Sequence, residues 1–160
     1  MRSMAILLLL TAVLSMFGYT PFSGRDIADL TPTELLAFAP AEGGVAVKTE
    51  DGLAYWGRDI PHALEVLRAA APGQLFLATV DHAVFSAMPP EAETLLECGL
   101  RPGTAVYAAP VAEDVKALNA YLRQRRGGVT LGALAEEPYR QVPVLLRGET
   151  GLYLKEGALP

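Results

Sequence analysis

Apolar positions recur along this chain with two periods, about two and about three and a half, and their alternation sets the expected architecture. Val45-Ala46-Val47-Lys48-Thr49 reads as a strand closed by Asp51-Gly52, with Leu53-Ala54-Tyr55-Trp56 as its hairpin partner. Ile60, Ala63, Leu64, Leu67 and Ala71 then share one helical face; Asp59 can cap that helix, Pro61 sits in its first turn and Pro72-Gly73 stops it. Leu75 to Val80 is continuously apolar, as a strand covered on both faces would be, and Ala83-Val84-Phe85 extends it. Pro89-Pro90-Glu91 opens a helix that ends at Gly99, and Thr104 to Ala109 is a third central strand. Between Glu113 and Arg126, Val115, Leu118, Tyr121 and Leu122 mark another helix. Its last turn would hold Arg123, Arg125 and Arg126, where cations favour the macrodipole, before Gly127-Gly128 ends it. A short helix at Leu131 to Glu136 precedes two strands, Val142 to Leu146 and Gly151 to Leu154, joined as a hairpin. The order βαβαβα plus a C-terminal β-hairpin predicts an α/β fold, a mixed sheet with helices packed on it.

Two segments precede this alternation. Residues 1–19 hold Arg2 and an uncharged apolar run from Met4 to Phe17, shorter than the roughly 18–20 residues of a comfortable membrane span. They read as a signal peptide or a signal-anchor helix; small residues at cleavage spacing are wanting after Phe17, which favours the uncleaved anchor, and a buried N-terminal helix is the third reading. Residues 20–43 read as a tether that becomes ordered part-way. There Thr31-Pro32-Thr33-Glu34 offers a cap and first turn for a short helix carrying Leu35, Leu36 and Phe38, which Pro40 to Gly44 ends. Residues 44–160 are then a single α/β domain, and 160 residues leave no room for two cores of ordinary size.

Charge and chemistry narrow the function classes. Thirteen basic against eighteen acidic side chains, a net charge of −5, argue against a nucleic-acid partner. One cysteine makes no intramolecular disulfide, and Cys98 falls at the C-terminal end of a helix, the wrong pole for an activated thiolate. The sequence contains no phosphate-loop, dinucleotide or nucleophile-elbow motif. Two histidines and one cysteine do not supply a structural zinc site, and the acidic residues follow no EF-hand spacing. Asp81-His82 with Ser86 nearby is the strongest catalytic candidate, but neighbours on a strand point to opposite faces, so Asp81 is badly placed to orient the imidazole. His62 reads as an exposed first-turn residue, and Glu113-Asp114 and Glu136-Glu137 read as solvated faces. Trp56, with Tyr55 beside it, is either a packed hairpin aromatic or part of a contact surface. The expectation is therefore no catalytic residue, no cofactor-binding residue and no metal ligand.

Several segments in order resemble the first domain of the C-subunit family of bacterial spore germinant receptors. Arg25-Asp26-Ile27-Ala28-Asp29-Leu30 resembles the family's R-[RE]-[EDI]-I-x-[DE]-L segment, which follows an export signal. Gly57-Arg58-Asp59-Ile60-Pro61-His62-Ala63-Leu64 resembles its helix start, G-x-[TD]-hydrophobic-x-x-A-L. The run from Leu75 to Ala87 resembles its strand L-Y-x-G-H-x-K-V-x-V-I-G-E, and Leu152 to Leu159 its linker strand. Departures are specific. Tyr19 stands where the family carries a lipidated Cys, Ala78 replaces the strand's Gly, Thr79 replaces its His, and the later domains are not in this sequence.

The resemblance implies a non-enzymatic, envelope-associated module without cofactors. It would act by protein–protein contact with germinant-receptor-like subunits at the outer face of the cell membrane, with the spore inner membrane as one such setting. The alternative is a small extracytoplasmic or secreted ligand-binding domain or hydrolase. The uncharged Met4–Phe17 run carries one expectation on its own. The expressed protein should fractionate with membranes and keep its N-terminus; mass spectrometry finding a new N-terminus between residues 18 and 30 would contradict the anchor.

Overall fold

A computed structural model describes residues 30–155 except 72, 88, 110–113, 126 and 150; the Met4–Phe17 run and the Arg25–Asp29 segment lie outside the described residues. The strands are β1 (Leu30–Pro32), β2 (Leu35–Ala41), β3 (Gly44–Thr49), β4 (Ala54–Gly57), β5 (Gln74–Phe76), β6 (His82–Phe85), β7 (Ala105–Ala108), β8 (Val129–Thr130), β9 (Val144–Gly148) and β10 (Gly151–Lys155). The helices are α1 (Ile60–Ala70), α2 (Ala92–Glu97), α3 (Val115–Leu122) and α4 (Leu131–Glu136). Strand order in the main sheet is β10-β9-β7-β6-β2-β3-β4, with β8 added to β7. β2, β6, β7 and β9 run parallel, and the β2–β3–β4 and β9–β10 pairs are antiparallel. This is the mixed α/β sheet that the sequence pattern predicts.

Three local expectations are corrected. The short helix expected at residues 31–38 is instead the end of β1 and the start of β2, which lies between β6 and β3. Leu35 and Leu36 are both without solvent exposure, but Leu36 and Phe38 join the core on one face while Leu35 joins the core on the other. That is the period-two burial of a strand, which the cap-like Thr31-Pro32-Thr33-Glu34 signal does not reveal. The Glu50 carboxylate accepts from the Glu34 amide at 2.6 Å and the Leu35 amide at 3.2 Å, holding the start of β2 where a helix would have needed a cap. β2 is thus an internal strand of the main sheet.

The continuous strand expected over Leu75–Val80 is also broken. β5 leaves the main sheet and pairs with β1, a 3-10 turn occupies Leu77–Thr79, and the central strand is β6. The Thr79 hydroxyl closes the turn by donating to the Phe76 carbonyl at 2.6 Å, and it accepts from the Thr33 amide at 3.2 Å. Leu75, Leu77 and Val80 are buried as expected, but from a bent segment, with Phe76 turned outward. Finally, α3 ends at Leu122, so Arg123 is its C-cap and Arg125 lies beyond it; neither occupies the last turn.

Two cores sandwich the sheet. Leu64 and Leu67 of α1, Leu95 of α2, and Leu131 and Leu134 of α4 pack on one face with Leu36, Phe38 and Val47. On that face Phe38 and Phe85 stack, ring centroids 4.8 Å apart. Leu118 and Leu122 of α3 cover the other face with Leu35, Val84, Tyr107 and Leu145. Asp59 caps α1 by accepting from the His62 amide at 2.8 Å. The same helix sits directly on β4: a Cβ on Gly57 would lie 2.2 Å from the Ala63 nitrogen, so only glycine fits there.

Leu36→Ala and Leu77→Ala should each cost about 2–5 kcal/mol, whereas Arg140→Ala, on an exposed side chain, should stay within about 0.5 kcal/mol. Chemical denaturation of the three variants checks this; equal midpoints would contradict the burial pattern.

A cleft at the amino ends of the parallel strands

Because β2, β6 and β7 run parallel, the residues that open them meet at one edge of the sheet. The Asp81 and His82 amides donate to the Glu34 carbonyl at 2.8 and 3.0 Å, and the Ala105 amide donates to the Asp81 carbonyl at 2.8 Å. The C-terminal end of α3 and the Gly127-Gly128 segment stand over this edge and enclose an open cleft of about 450 Å³. Ligand crevices of open α/β sheets usually lie at the opposite, carboxyl ends of the strands. Here Glu34, Asp81, His82, Tyr107, Arg123 and Arg125 come together at the amino ends.

Glu34 is the hub. Its carboxylate accepts from Asn119 Nδ2 at 3.3 Å and pairs with Arg123 Nε at 3.4 Å, linking the start of β2 to the end of α3. Asn119 is buried, and its Oδ1 has no hydrogen-bond partner among the described residues. The Arg125 guanidinium lies 4.8 Å from the Tyr121 ring centroid, a cation–π contact. The Tyr107 hydroxyl donates to the Gly127 carbonyl and pins that segment to β7. A Cβ on Gly128 would come within 2.7 Å of the same hydroxyl, so glycine is required for the close approach. Burial pushes the Tyr107 phenol up from its ordinary value.

His82 opens β6 at the floor of the cleft, half-buried, with its ring 5.9 Å from that of Tyr107 and tilted by 58°. Its Nδ1 is buried without a hydrogen-bond partner among the described residues. Burial lowers the imidazole below its ordinary value of 6.5, and the Glu34 carboxylate pulls in the opposite direction. Asp81 is engaged elsewhere, in an ion pair with Arg101, so it does not orient His82. Ser86 follows the far end of β6, roughly 13 Å along the strand, where its amide donates to the Phe38 carbonyl.

The other residues singled out from the sequence lie outside the cleft lining. The His62 Nδ1 accepts from the Arg58 amide at 3.2 Å in the first turn of α1. Cys98 caps α2 half-buried; burial pushes its thiol up, with Arg68 opposing, and its carbonyl accepts from the Arg68 guanidinium. Asp114 caps α3 through the Lys116 amide at 3.0 Å, Glu136 and Glu137 are exposed at the end of α4, and Glu113 lies outside the described residues. Trp56 is 47% exposed, while Tyr55 packs against the core under α1. Sequence reasoning missed Glu34, Arg123 and Arg125 as partners of His82. The helix-like signal over residues 31–38 conceals Glu34 as a strand-edge residue, and the polar run after Leu122 reads as more helix rather than as a cleft wall.

No protein-family model, curated protein or solved structure matches the chain. The likeness to germinant-receptor C subunits therefore rests on the residues quoted for it.

The lowered His82 value has a definite sign in stability. As pH falls through about 6.5 the unfolded chain takes up this proton before the folded chain does. The contribution of neutral His82 is thus complete above that pH, is lost as pH falls towards the lower folded value, and changes no further below it. Thermal midpoints recorded from pH 7.5 down to pH 5, about the range over which an imidazole titrates, should fall less steeply for His82→Gln than for the parent protein. Parallel slopes would contradict the assignment.

Proposed function

We propose that this chain is a non-enzymatic, envelope-associated module that acts through protein–protein contacts at the outer face of the membrane, in a role similar to the first domain of a spore germinant-receptor C subunit. Two features of the chain support the setting. The Met4–Phe17 run supplies a membrane-directed segment, and only twelve residues separate it from Leu30, where β1 begins. Twelve residues reach at most about 43 Å, so the domain would be held close to the bilayer.

The observation that carries the contact reading is the outer face of the β2–β3–β4 antiparallel corner. Ala39, Ala46 and Trp56 are cross-strand neighbours in one row, and Ala37, Lys48 and Ala54 form the next. Ala39 and Ala46 are half-buried, and Trp56, Lys48 and Ala54 are exposed. A half-exposed tryptophan lying against small residues, its ring beside Gly44, offers a large apolar contact at low entropy cost, the kind of anchor that dominates protein interfaces. The partner proposed is a membrane-embedded subunit of the same assembly, resembling the other germinant-receptor subunits.

The cleft favours a second reading, a small-ligand-binding domain of the same compartment. It gathers a half-buried imidazole, two guanidiniums and two carboxylates in a volume suited to a small molecule.

A photo-crosslinking amino acid placed at position 56 of the full chain, in cells of the source organism, tests the contact reading. It should yield a defined adduct with an integral membrane protein, while the same group at exposed Glu65 on α1 should not. Equal labelling from both positions, or adducts with soluble cytosolic proteins only, would contradict it.

A further inference from the structure

We infer that the cleft binds a small molecule through its carboxylate, with Arg125 and Arg123 gripping the charged end and His82 meeting the ligand at the floor; this rests on the small-ligand reading above. The chain carries a net charge of −5, yet around the cleft three guanidiniums, those of Arg101, Arg123 and Arg125, face two carboxylates, those of Glu34 and Asp81. Arg101 is engaged by Asp81. Arg123 meets Glu34 through Nε at 3.4 Å, which leaves the outer edge of its guanidinium for another acceptor. Arg125 has no carboxylate partner among the described residues; its stacking over Tyr121 holds the guanidinium plane and keeps its N–H edge available.

The floor adds a second contact. His82 lines the cleft and is half-buried, while its Nδ1 is closed to solvent, so an occupant of the cleft meets the exposed part of the imidazole ring rather than Nδ1.

The composition of the walls selects among anions. Glu34 and Asp81 oppose a phosphate dianion more strongly than a monoanion. The helix end that overhangs the cleft is the C-terminal pole of α3, which also disfavours concentrated negative charge. A planar carboxylate needs only one guanidinium fork, and two oxygens match two parallel N–H groups. The polar lining and small volume suit a short hydroxycarboxylate better than a long apolar acid.

Titration of the full, isotope-labelled chain in detergent micelles with lactate, its neutral isostere lactamide, and inorganic phosphate tests this by amide and imidazole NMR. Lactate should shift the Gly127 and Gly128 amides and the His82 ring resonances saturably, in the millimolar range. Lactamide and phosphate should bind about tenfold more weakly or worse. Arg125→Gln should weaken lactate by about tenfold, and Arg125→Lys should restore part of the loss, with the rest of the spectrum unchanged because Arg125 is exposed. Phosphate binding tighter than lactate, lactamide binding as well as lactate, or indifference to Arg125→Gln would overturn the carboxylate assignment while leaving a ligand cleft. Silence towards all three probes up to about 50 mM would overturn the small-ligand reading itself.

Discussion

Leu35 and Leu36 are consecutive, and neither touches solvent. Side chains of neighbouring residues on a strand point to opposite faces, so both can be buried only in a sheet covered on each side. That requirement governs the rest of the molecule. It places β2 between a parallel neighbour, β6, and an antiparallel one, β3, and it calls for helices on both faces. α1, α2 and α4 meet it on one side and α3 on the other. Because α3 is the one helix on its side among the described residues, it also decides what becomes of the sheet's amino edge.

The cleft follows from this arrangement. Parallel strands starting at the same level bring Leu35, His82 and Ala105 into one row with Glu34 just ahead of it, and the end of α3 lays Asn119, Arg123 and Arg125 beside them. The Glu34–Arg123 pair is largely exposed, with side-chain accessibilities of 36% and 64%, so its contribution to stability is small, about 0–1 kcal/mol. Its consequence is geometric: it holds the end of α3 against the start of β2. The buried, unpartnered Nδ1 of His82 and Oδ1 of Asn119 mark the same region as one where polar groups are not fully satisfied within the chain.

The opposite corner of the sheet is built differently. There β3 and β4 turn back antiparallel, which lets one face pack under α1 and the other remain open. Alanines in consecutive strands leave that face flat among the described residues, and the half-exposed Trp56 ring lies on it beside Gly44. The domain thus carries a polar cleft and a row of alanines with Trp56 on separate parts of one sheet, joined through β2.

The sequence by itself determined the elements whose signals are local. Asp59 with Pro61, the Pro89-Pro90-Glu91 start, and the Val45–Trp56 hairpin lie where sequence patterning places them, as does the C-terminal hairpin. So does the overall α/β class, because alternating periods of burial dictate a sheet with helices on it. Only the tertiary structure decided the fate of Leu35–Ala41, where a local helix-start signal yields to pairing with β6 and β3. It also decided the bend at Leu77–Thr79, where Thr79 bonds to Thr33, forty-six residues away in sequence. The cleft was legible only through the Asp81-His82 pair. Its other members become neighbours through strand pairing and through the packing of α3, and such contacts between residues as far apart as Glu34 and Asn119 leave no local trace in the sequence.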